Sequence, residues 1–135
     1  GAYIKSVNAE NAYIIGGSDS VNDAAVNSLK SKYGVKTTKR IAGANRYATS
    51  VAIYNEFKSS FAKGVAAVAT GASFPDALAG CAFAARIQAP LLLLDNGRDI
   101  PEAKTALKDT DAIKLYIFGG ESSLSDTTVK GHIIP

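Results

Sequence analysis

The sequence predicts a three-layer α/β sandwich, in which helices cover both faces of a mainly parallel sheet of about five strands. Short β-rich runs alternate with helical runs along the chain. The strand-like runs VAAVAT and PLLLL are apolar on both faces, which is typical of a parallel sheet covered by helices. The chain has 135 residues, 47% of them hydrophobic, which is enough for one buried core.

The pattern places each element in turn. Strands are expected near residues 11–16, 35–40, 65–70, 90–94 and 113–118. Helices are expected over SVNDAAVNSLKSKYG, NRYATSVAIYNEFKSSF, PDALAGCAFAARI, PEAKTALKD and SLSDTTVKGHI. Two of these helices carry a variant of the capping box as a start signal, formed by Ser20 with Asp23 and by Ser123 with Asp126.

The run PDALAGCAFAARI is small and apolar nearly all round, which predicts a helix buried against the sheet. It contains Cys81, the only cysteine. A single thiol builds neither a disulfide nor a cysteine zinc site within one chain. We therefore expect Cys81 to be buried as a small hydrophobic residue.

Two stretches near opposite ends of the chain are nearly the same. Residues 13–23 read YIIGGSDSVND and residues 116–126 read YIFGGESSLSD. The shared register extends to Val26 and Val129, which indicates a true repeat rather than convergence on one turn. We expect residues 1–39 to be the tail of one unit and residues 40–135 most of the next. Because the sequence starts at Gly1 and contains no methionine, we expect it to be a piece of a longer protein.

Basic residues are concentrated in one part of the chain, although the net charge is only +3. No Asp or Glu interrupts the run that contains Lys30, Lys32, Lys36, Lys39, Arg40 and Arg46. We expect this charge to lack a local partner, which favours an anionic ligand. The alternative is a solvated strand edge, where lysines discourage unwanted pairing.

Signatures of enzyme chemistry are missing from the sequence. It contains no G-x-G-x-x-G after a strand and no G-x-x-x-x-G-K-[ST]. The one histidine, His132, is expected to be a charge at a helix C-terminus. We therefore expect no catalytic residues, metal or cofactor. No apolar run approaches the ~18 residues that a membrane span requires, and we expect neither membrane insertion nor a nucleic acid partner.

In order, the segments RIAGANRYATSVAI, VAAVATGASFPDALAG, APLLLLD and YIFGGESSLSD resemble the type 2 cell-wall-binding repeat of Gram-positive surface proteins. The resemblance covers nearly the whole chain. It implies a Rossmann-like module of a secreted wall protein that anchors an effector, without catalysis, to an anionic wall polysaccharide. Units of this family are commonly tandem triplets around a pseudo-threefold axis, so we expect packing on neighbouring repeats or self-association as a dimer or trimer.

The resemblance also implies candidate polymer-binding residues. The family's arginine-bearing motif corresponds here to Arg40, Gly43, Asn45 and Arg46. Its aliphatic motif, usually Ile-Leu-Leu after a proline, corresponds to Leu91, Leu92 and Leu93. Together with Lys36 and Lys39 of the basic run, these arginines and leucines are the expected polymer contacts. The alternatives are that the arginines form structural salt bridges with Asp76 or Asp95, and that the leucines belong to the core.

Three functions are compatible with these features. The first is a wall-binding module, the second a structural assembly repeat, and the third a small Rossmann-like enzyme acting on a nucleotide or acyl substrate.

Ligands of open α/β sheets meet the carboxyl ends of the strands. We therefore expect one common edge to be lined by the loops 16–18, 71–74, 95–98 and 119–122.

Overall fold

The computed structural model describes residues 2–133, and the predicted alternation is confirmed. The strands are β1 Asn11–Ile15, β2 Thr37–Ile41, β3 Val65–Thr70, β4 Leu91–Leu94 and β5 Lys114–Phe118. The helices are α1 Ala2–Ser6, α2 Asp23–Tyr33, α3 Arg46–Phe57, α4 Pro75–Arg86, α5 Pro101–Asp109 and α6 Asp126–Ile133. A 3₁₀ turn, Lys58–Ser60, follows α3. Only the short helix α1 had no counterpart in the sequence-based prediction.

All strand pairs are parallel, but the strands form two sheets rather than one. One sheet has the order β1–β2 and the other the order β4–β3–β5. The expectation of a single sheet of about five strands was therefore wrong in its pairing. The apolar pattern of a strand specifies which faces are buried, but it does not specify which strand lies alongside.

The core lies on both faces of β3. Ala66 and Val68 point to a cluster formed with α3, α5 and α6, whereas Ala67 points to a smaller cluster with Ala84 of α4. Alternate residues of a strand face opposite sides, so helices cover β4–β3–β5 on both faces. This arrangement confirms the three layers for the larger sheet.

Helix α4 buries only a narrow stripe, which corrects the prediction of a fully buried helix. Gly80 and Ala84 are its buried residues, while Leu78 and Phe83 are 64% and 42% exposed. Cys81 is also exposed, not buried as expected, and its thiol donates to the Leu78 carbonyl at 3.0 Å. The cause is geometric, because one sheet covers one side of a helix and nothing among residues 2–133 covers the other.

The helix caps lie two residues beyond the predicted ones. The Asn22 side chain accepts from the Ala25 amide at 2.8 Å, and the Ser125 hydroxyl accepts from the Thr128 amide at 3.2 Å. The capping-box assignment to Ser20 and Ser123 was therefore wrong. Those serines lie in the turn before each helix, where their own amides donate to Gly17 and Gly120 carbonyls.

The two similar stretches have the same backbone geometry. Gly16 and Gly119 end β1 and β5 with φ values of 113° and 116°, a region that residues with a side chain rarely adopt. In both turns the Ser amide bonds back to the second glycine, at 3.1 Å in one and 2.9 Å in the other. The sequence match thus corresponds to the same strand, turn and helix at both ends of the chain.

Helix α3 contacts both sheets. Its Phe57 ring packs against Tyr13 of β1 with centroids 4.9 Å apart. On the larger sheet, the Ser50 hydroxyl accepts from the Leu93 amide at 3.1 Å. Its Tyr54 hydroxyl donates to Asp109 of α5 at 2.8 Å. Burial raises the pKa of Tyr54 to about 12, and the bond to Asp109 adds to the shift, so this hydroxyl remains a donor at neutral pH.

We predict that Gly80→Ala lowers the free energy of unfolding by about 1–3 kcal/mol. A methyl group there would lie 2.3 Å from the Phe118 ring, so α4 would have to move away from β5. Gly131→Ala is the matched control, because no atom lies within 4 Å of its added methyl and alanine favours a helix by about 0.5–1 kcal/mol. Urea denaturation of both variants tests this. Equal stabilities of the two variants would contradict the close packing of α4 on β5.

Candidate functional site

An open cleft of about 570 Å³ lies where β1, β2 and β4 end at their carboxyl sides. One wall is the turn of Gly16 and Gly17 after β1, and the other contains Leu93 of β4. Asn45 and Arg46 at the start of α3 complete it. The cleft thus lies between the two sheets, at the strand ends where open α/β proteins bind their ligands.

The start of α3 is held in a defined conformation. The Asn45 side chain accepts from the Ala48 amide at 2.9 Å, and the Gly43 amide donates to the Thr49 hydroxyl at 3.0 Å. A side chain at Gly43 would lie only 2.5 Å from the Ala48 Cβ, so glycine is required for this close approach. The motif residues Gly43 and Asn45 therefore shape the site through the backbone.

Arg46 lies in the cleft and links it to the larger sheet. Its Nη1 donates to the Gly71 carbonyl, just after β3, at 2.6 Å. Within residues 2–133 it forms no salt bridge with Asp76 or Asp95, the two partners that the structural alternative required. Arg46 is exposed and is one of the residues that line the cleft.

Arg40 is not one of the residues that line the cleft, and it holds the β1 turn. Its Nη1 donates to the Gly16 carbonyl at 2.7 Å, and its Nη2 pairs with Asp23 of α2 at 2.8 Å. The structural alternative named Asp76 or Asp95, but the partner of Arg40 is Asp23, whose side chain is 76% exposed. The Arg40 side chain is 27% exposed.

Two lysines of the basic run, Lys36 and Lys39, have acidic partners, contrary to expectation. Lys36 pairs with Glu10, and Lys39 pairs with Glu56 of α3 at 2.6 Å. These acids are distant in sequence and reach the run only through β-pairing and helix packing. Because neighbouring residues of β2 face opposite sides, Lys39 points to α3 and Arg40 to α2. The four basic candidates do not form one patch.

The three leucines occupy three environments. Leu92 is fully buried in the main core, so no polymer reaches it in this structure. Leu91 is half-buried and packs with the α4 cluster. Only Leu93 lines the cleft. The core alternative therefore describes Leu92, whereas Leu93 both packs against the main core and lines the cleft.

The loops at the strand ends meet in pairs. Asn96 accepts from the Ser125 amide at 3.0 Å and its side-chain nitrogen lies 3.5 Å from the Ser122 carbonyl, which joins the loop after β4 to the loop after β5.

Burial and the adjacent Asp95 carboxylate raise the pKa of the Tyr47 hydroxyl. That hydroxyl is therefore neutral at physiological pH.

His132 is a buried core residue rather than the predicted surface charge. Its Nε2 accepts the Ile100 amide at 3.0 Å, and its Nδ1 lies 2.8 Å from the Thr128 carbonyl. This pair of bonds fits a neutral ring protonated at Nδ1. The prediction placed it correctly at a helix C-terminus but missed that α5 and α6 pack around it.

No cluster of three metal-ligating side chains occurs in the part of the chain that the structure describes. None of the helices there has the length and apolarity to cross a bilayer.

Sequence reasoning missed three residues of the cleft on α3, namely Thr49, Ser50 and Ile53. They follow Asn45 and Arg46 at intervals of three, four and seven positions, so they share the same helical face. That helical spacing could have identified these three residues from the sequence.

We predict that Arg40→Ala lowers the free energy of unfolding by about 1.5–3 kcal/mol, because it removes charge-assisted bonds to Gly16 and Asp23. Asp23→Ala removes only the exposed ion pair and should cost about 0–1 kcal/mol. Urea denaturation compares the two variants with Lys32→Ala, an exposed control on α2. An equal loss for Arg40→Ala and Asp23→Ala would show that the carbonyl contact contributes nothing.

Comparison with known proteins agrees with the architecture. The chain is 38% identical over 125 residues to the amidase enhancer of Bacillus subtilis, covering 92% of this chain and 16% of that protein. It is 33% identical over 92 residues to N-acetylmuramoyl-L-alanine amidase LytC of the same organism, covering 68% of this chain and 18% of the relative. The chain therefore spans less than a fifth of the curated relatives that it matches.

Two solved structures have the same fold. Cwp6 from Clostridium difficile superposes with a TM-score of 0.84 at 30% identity, and Cwp8 from the same organism with 0.72 at 31%. Each match covers 96% of this chain and 20% of the other. The family model of cell wall binding domain 2 matches residues 40–129. The chain therefore belongs to the cell wall binding domain 2 family.

Proposed function

We propose that this chain is a non-catalytic module that anchors a secreted surface protein non-covalently to an anionic wall polysaccharide. The observation that carries the proposal is the open cleft at the strand ends with Arg46 on its wall. The cleft is open and has a volume of about 570 Å³, and a guanidinium group suits phosphate or carboxylate. Family membership supports the wall as the location of that polymer.

The cleft favours an extended anionic ligand over a small substrate. Its acidic lining residue is Asp19, and besides Arg46 its other polar side chains are the amide of Asn45 and the hydroxyls of Ser20, Thr49 and Ser50. Such groups hydrogen-bond to sugar and phosphate oxygens. We assign direct polymer contact to Arg46 and Leu93, with Leu91 and Leu92 acting indirectly by positioning β4.

Lys36, Lys39 and Arg40 provide a second, electrostatic contribution in this proposal. The side chains of the Lys36–Glu10 pair are 69% and 60% exposed, and exposed pairs contribute about 0–1 kcal/mol. A polyanion can therefore displace the Glu10 carboxylate from Lys36 at little cost. Each contact is weak, and several units acting together supply the avidity.

Any catalytic activity of the full-length protein would belong to another part of it. The names of the two curated relatives refer to amidase function, yet each match covers only a small share of the relative. We therefore propose that this chain binds the wall at the cell surface. An effector in another part of the full-length protein would carry out any catalysis. A small Rossmann-like enzyme remains the alternative.

We further propose that residues 1–39 end one repeat and residues 40–135 form most of the next, with an apolar face for contact between units. Phe74, Leu78 and Phe83 on and beside α4 are 75%, 64% and 42% exposed. An apolar face of this kind rarely remains bare on a soluble protein. This observation favours the second function, an assembly role, which operates together with wall binding.

We predict that Arg46→Gln lowers the fraction of protein that sediments with purified Gram-positive cell wall by roughly tenfold, since a charge-assisted bond contributes about 1.5–3 kcal/mol. Arg46→Lys keeps the charge and should retain part of the binding. Wall stripped of its anionic polymer is the matched substrate control. Thermal melts accompany both variants, because Arg46 also bonds to Gly71. Unchanged sedimentation of a folded Arg46→Gln protein would contradict the cleft assignment.

We predict that the double variant Lys36→Glu, Lys39→Glu weakens wall binding and reduces its salt dependence, since screening removes the contribution of exposed charges as the Debye length falls from ~10 Å at 0.1 M to ~3 Å at 1 M. The control Lys63→Glu, Lys108→Glu has the same net charge change at exposed positions elsewhere. Equal losses for both pairs would indicate a net-charge effect instead of a specific contribution from β2.

We predict that the protein self-associates as a dimer or trimer and that Leu78→Glu shifts it to monomer, because a charge in the centre of the apolar face opposes its burial. Val7→Glu, at a position 51% exposed on another part of the chain, is the control. Sedimentation velocity over a range of concentrations measures the shift. A parent protein that stays monomeric at high concentration would contradict this prediction.

A further inference from the structure

Strand β5 has one free edge. Within residues 2–133 it pairs with β3 alone, whereas β1, which matches it in sequence and turn geometry, pairs with β2. The two pairings use opposite edges. The Ala67 amide of β3 donates to Pro90, beside β4, so the even-numbered Ala66 faces β5. Ala66 lies opposite Leu115 in the parallel register, so its hydrogen bonds go to the residues on either side, 114 and 116. Even-numbered residues of β5 therefore face β3. On β1 the Gly16 amide donates to Ile41, so even-numbered residues of β1 face β2. Their counterparts on β5, such as Gly119, are odd-numbered and therefore face away from β3.

The free edge of β5 is therefore equivalent to the edge of β1 that β2 occupies. Tyr116 follows Tyr13 by 103 positions, and the same offset links Ile117 to Ile14. Ile14, opposite Arg40 in the β1–β2 register, is 7% exposed, but Ile117 is 42% exposed. The difference corresponds to the cover that a β2-type strand and its following helix would provide.

The end of this edge also offers a site for the arginine of such a strand. Arg40 binds the Gly16 carbonyl and Asp23. The counterparts are the Gly119 carbonyl and Asp126, whose side chain is 68% exposed and lies 3.7 Å from Lys130. The Glu121 carboxylate accepts the Asp126 amide, so a second negative charge lies at the same end of β5. The negative charges of Asp126 and Glu121 complement the positive charges of a β2-type strand.

We propose that the free edge of β5 is the docking site of a β2-type strand from another unit, so that consecutive units share one parallel sheet of the order β4–β3–β5–β2. The partner strand carries the pattern TTKRI, with its arginine on Asp126 and the Gly119 carbonyl. This inference rests on the proposed division into repeats, and it identifies how those repeats connect. It also explains the split into two sheets, because β1 and β2 are the corresponding junction with a preceding unit.

An unpaired β2-type strand is needed for the test, because the chain's own β2 is already bound to β1. Appending a copy of residues 33–46 directly after Pro135 supplies one at the spacing of the repeat, since residue 33 lies 103 positions before the first appended residue. The full chain with this extension is compared with a chain whose extension has the same residues in scrambled order. Hydrogen exchange is measured at the Leu115, Ile117 and Gly119 amides.

We expect these three amides to exchange at least about tenfold more slowly with the native extension than with the scrambled one, because pairing converts them from exposed to bonded groups. Arg40→Glu in the appended copy should remove most of that protection, and Asp126→Asn in the chain should weaken it. Amides of Ala66 and Val68 in β3 report whether the fold is intact.

Equal exchange at β5 with the native and scrambled extensions, in a chain whose β3 remains protected, would overturn the proposal. Protection that survives Arg40→Glu would overturn the assigned register. No wall material is present in this assay. A negative result therefore leaves the wall-binding proposal unaffected, and a failure of wall binding leaves the strand docking unaffected.

Discussion

Helix α3 is the element on which the rest of this structure depends, because the two sheets share no hydrogen-bonded strands within residues 2–133. What joins them is one helix with contacts in both directions. Phe57 and Glu56 reach Tyr13 and Lys39 on the smaller sheet, and Ser50 bonds to β4 on the larger one. A helix can hold two sheets in this way only if its apolar stripe is wide enough to face both.

The position of α3 also creates the cleft. Its first turn lies at the gap between the sheets, and Arg46 spans that gap to the Gly71 carbonyl. A continuous sheet would have filled the space with a strand. The split between the sheets therefore coincides with the cleft at the strand ends.

The ion pairs of β2 also depend on the packing of elements that are distant in sequence. Lys36 and Lys39 meet their carboxylates only because β1 and α3 pack on either side of β2. Asp109 shows the structural version of such a pair, since Lys58 and then Tyr54 lower the pKa of its carboxyl group. Asp109 connects α5 to α3, while Lys39 of β2 connects the smaller sheet to α3.

Much of the fold could be predicted because it is local in origin. The five strands lie within two residues of their expected positions, and the repeated glycine turn follows from a positive φ that favours glycine. The arginine-bearing motif also indicated Arg46 and Asn45, both of which line the cleft. These features depend on residues close together in the chain.

Other features were decided by tertiary packing. Helix α4 looks uniformly apolar in sequence, but the structure covers only Gly80 and Ala84, so Cys81 is exposed. His132 looks like a surface charge, but α5 and α6 bury it against the Ile100 amide. The sequence by itself determined the order and type of the elements, because periodicity and turn chemistry are local. The pairing of strands, the partners of each charge and the free edge of β5 were decided by the tertiary structure, because they depend on contacts between residues far apart in the chain.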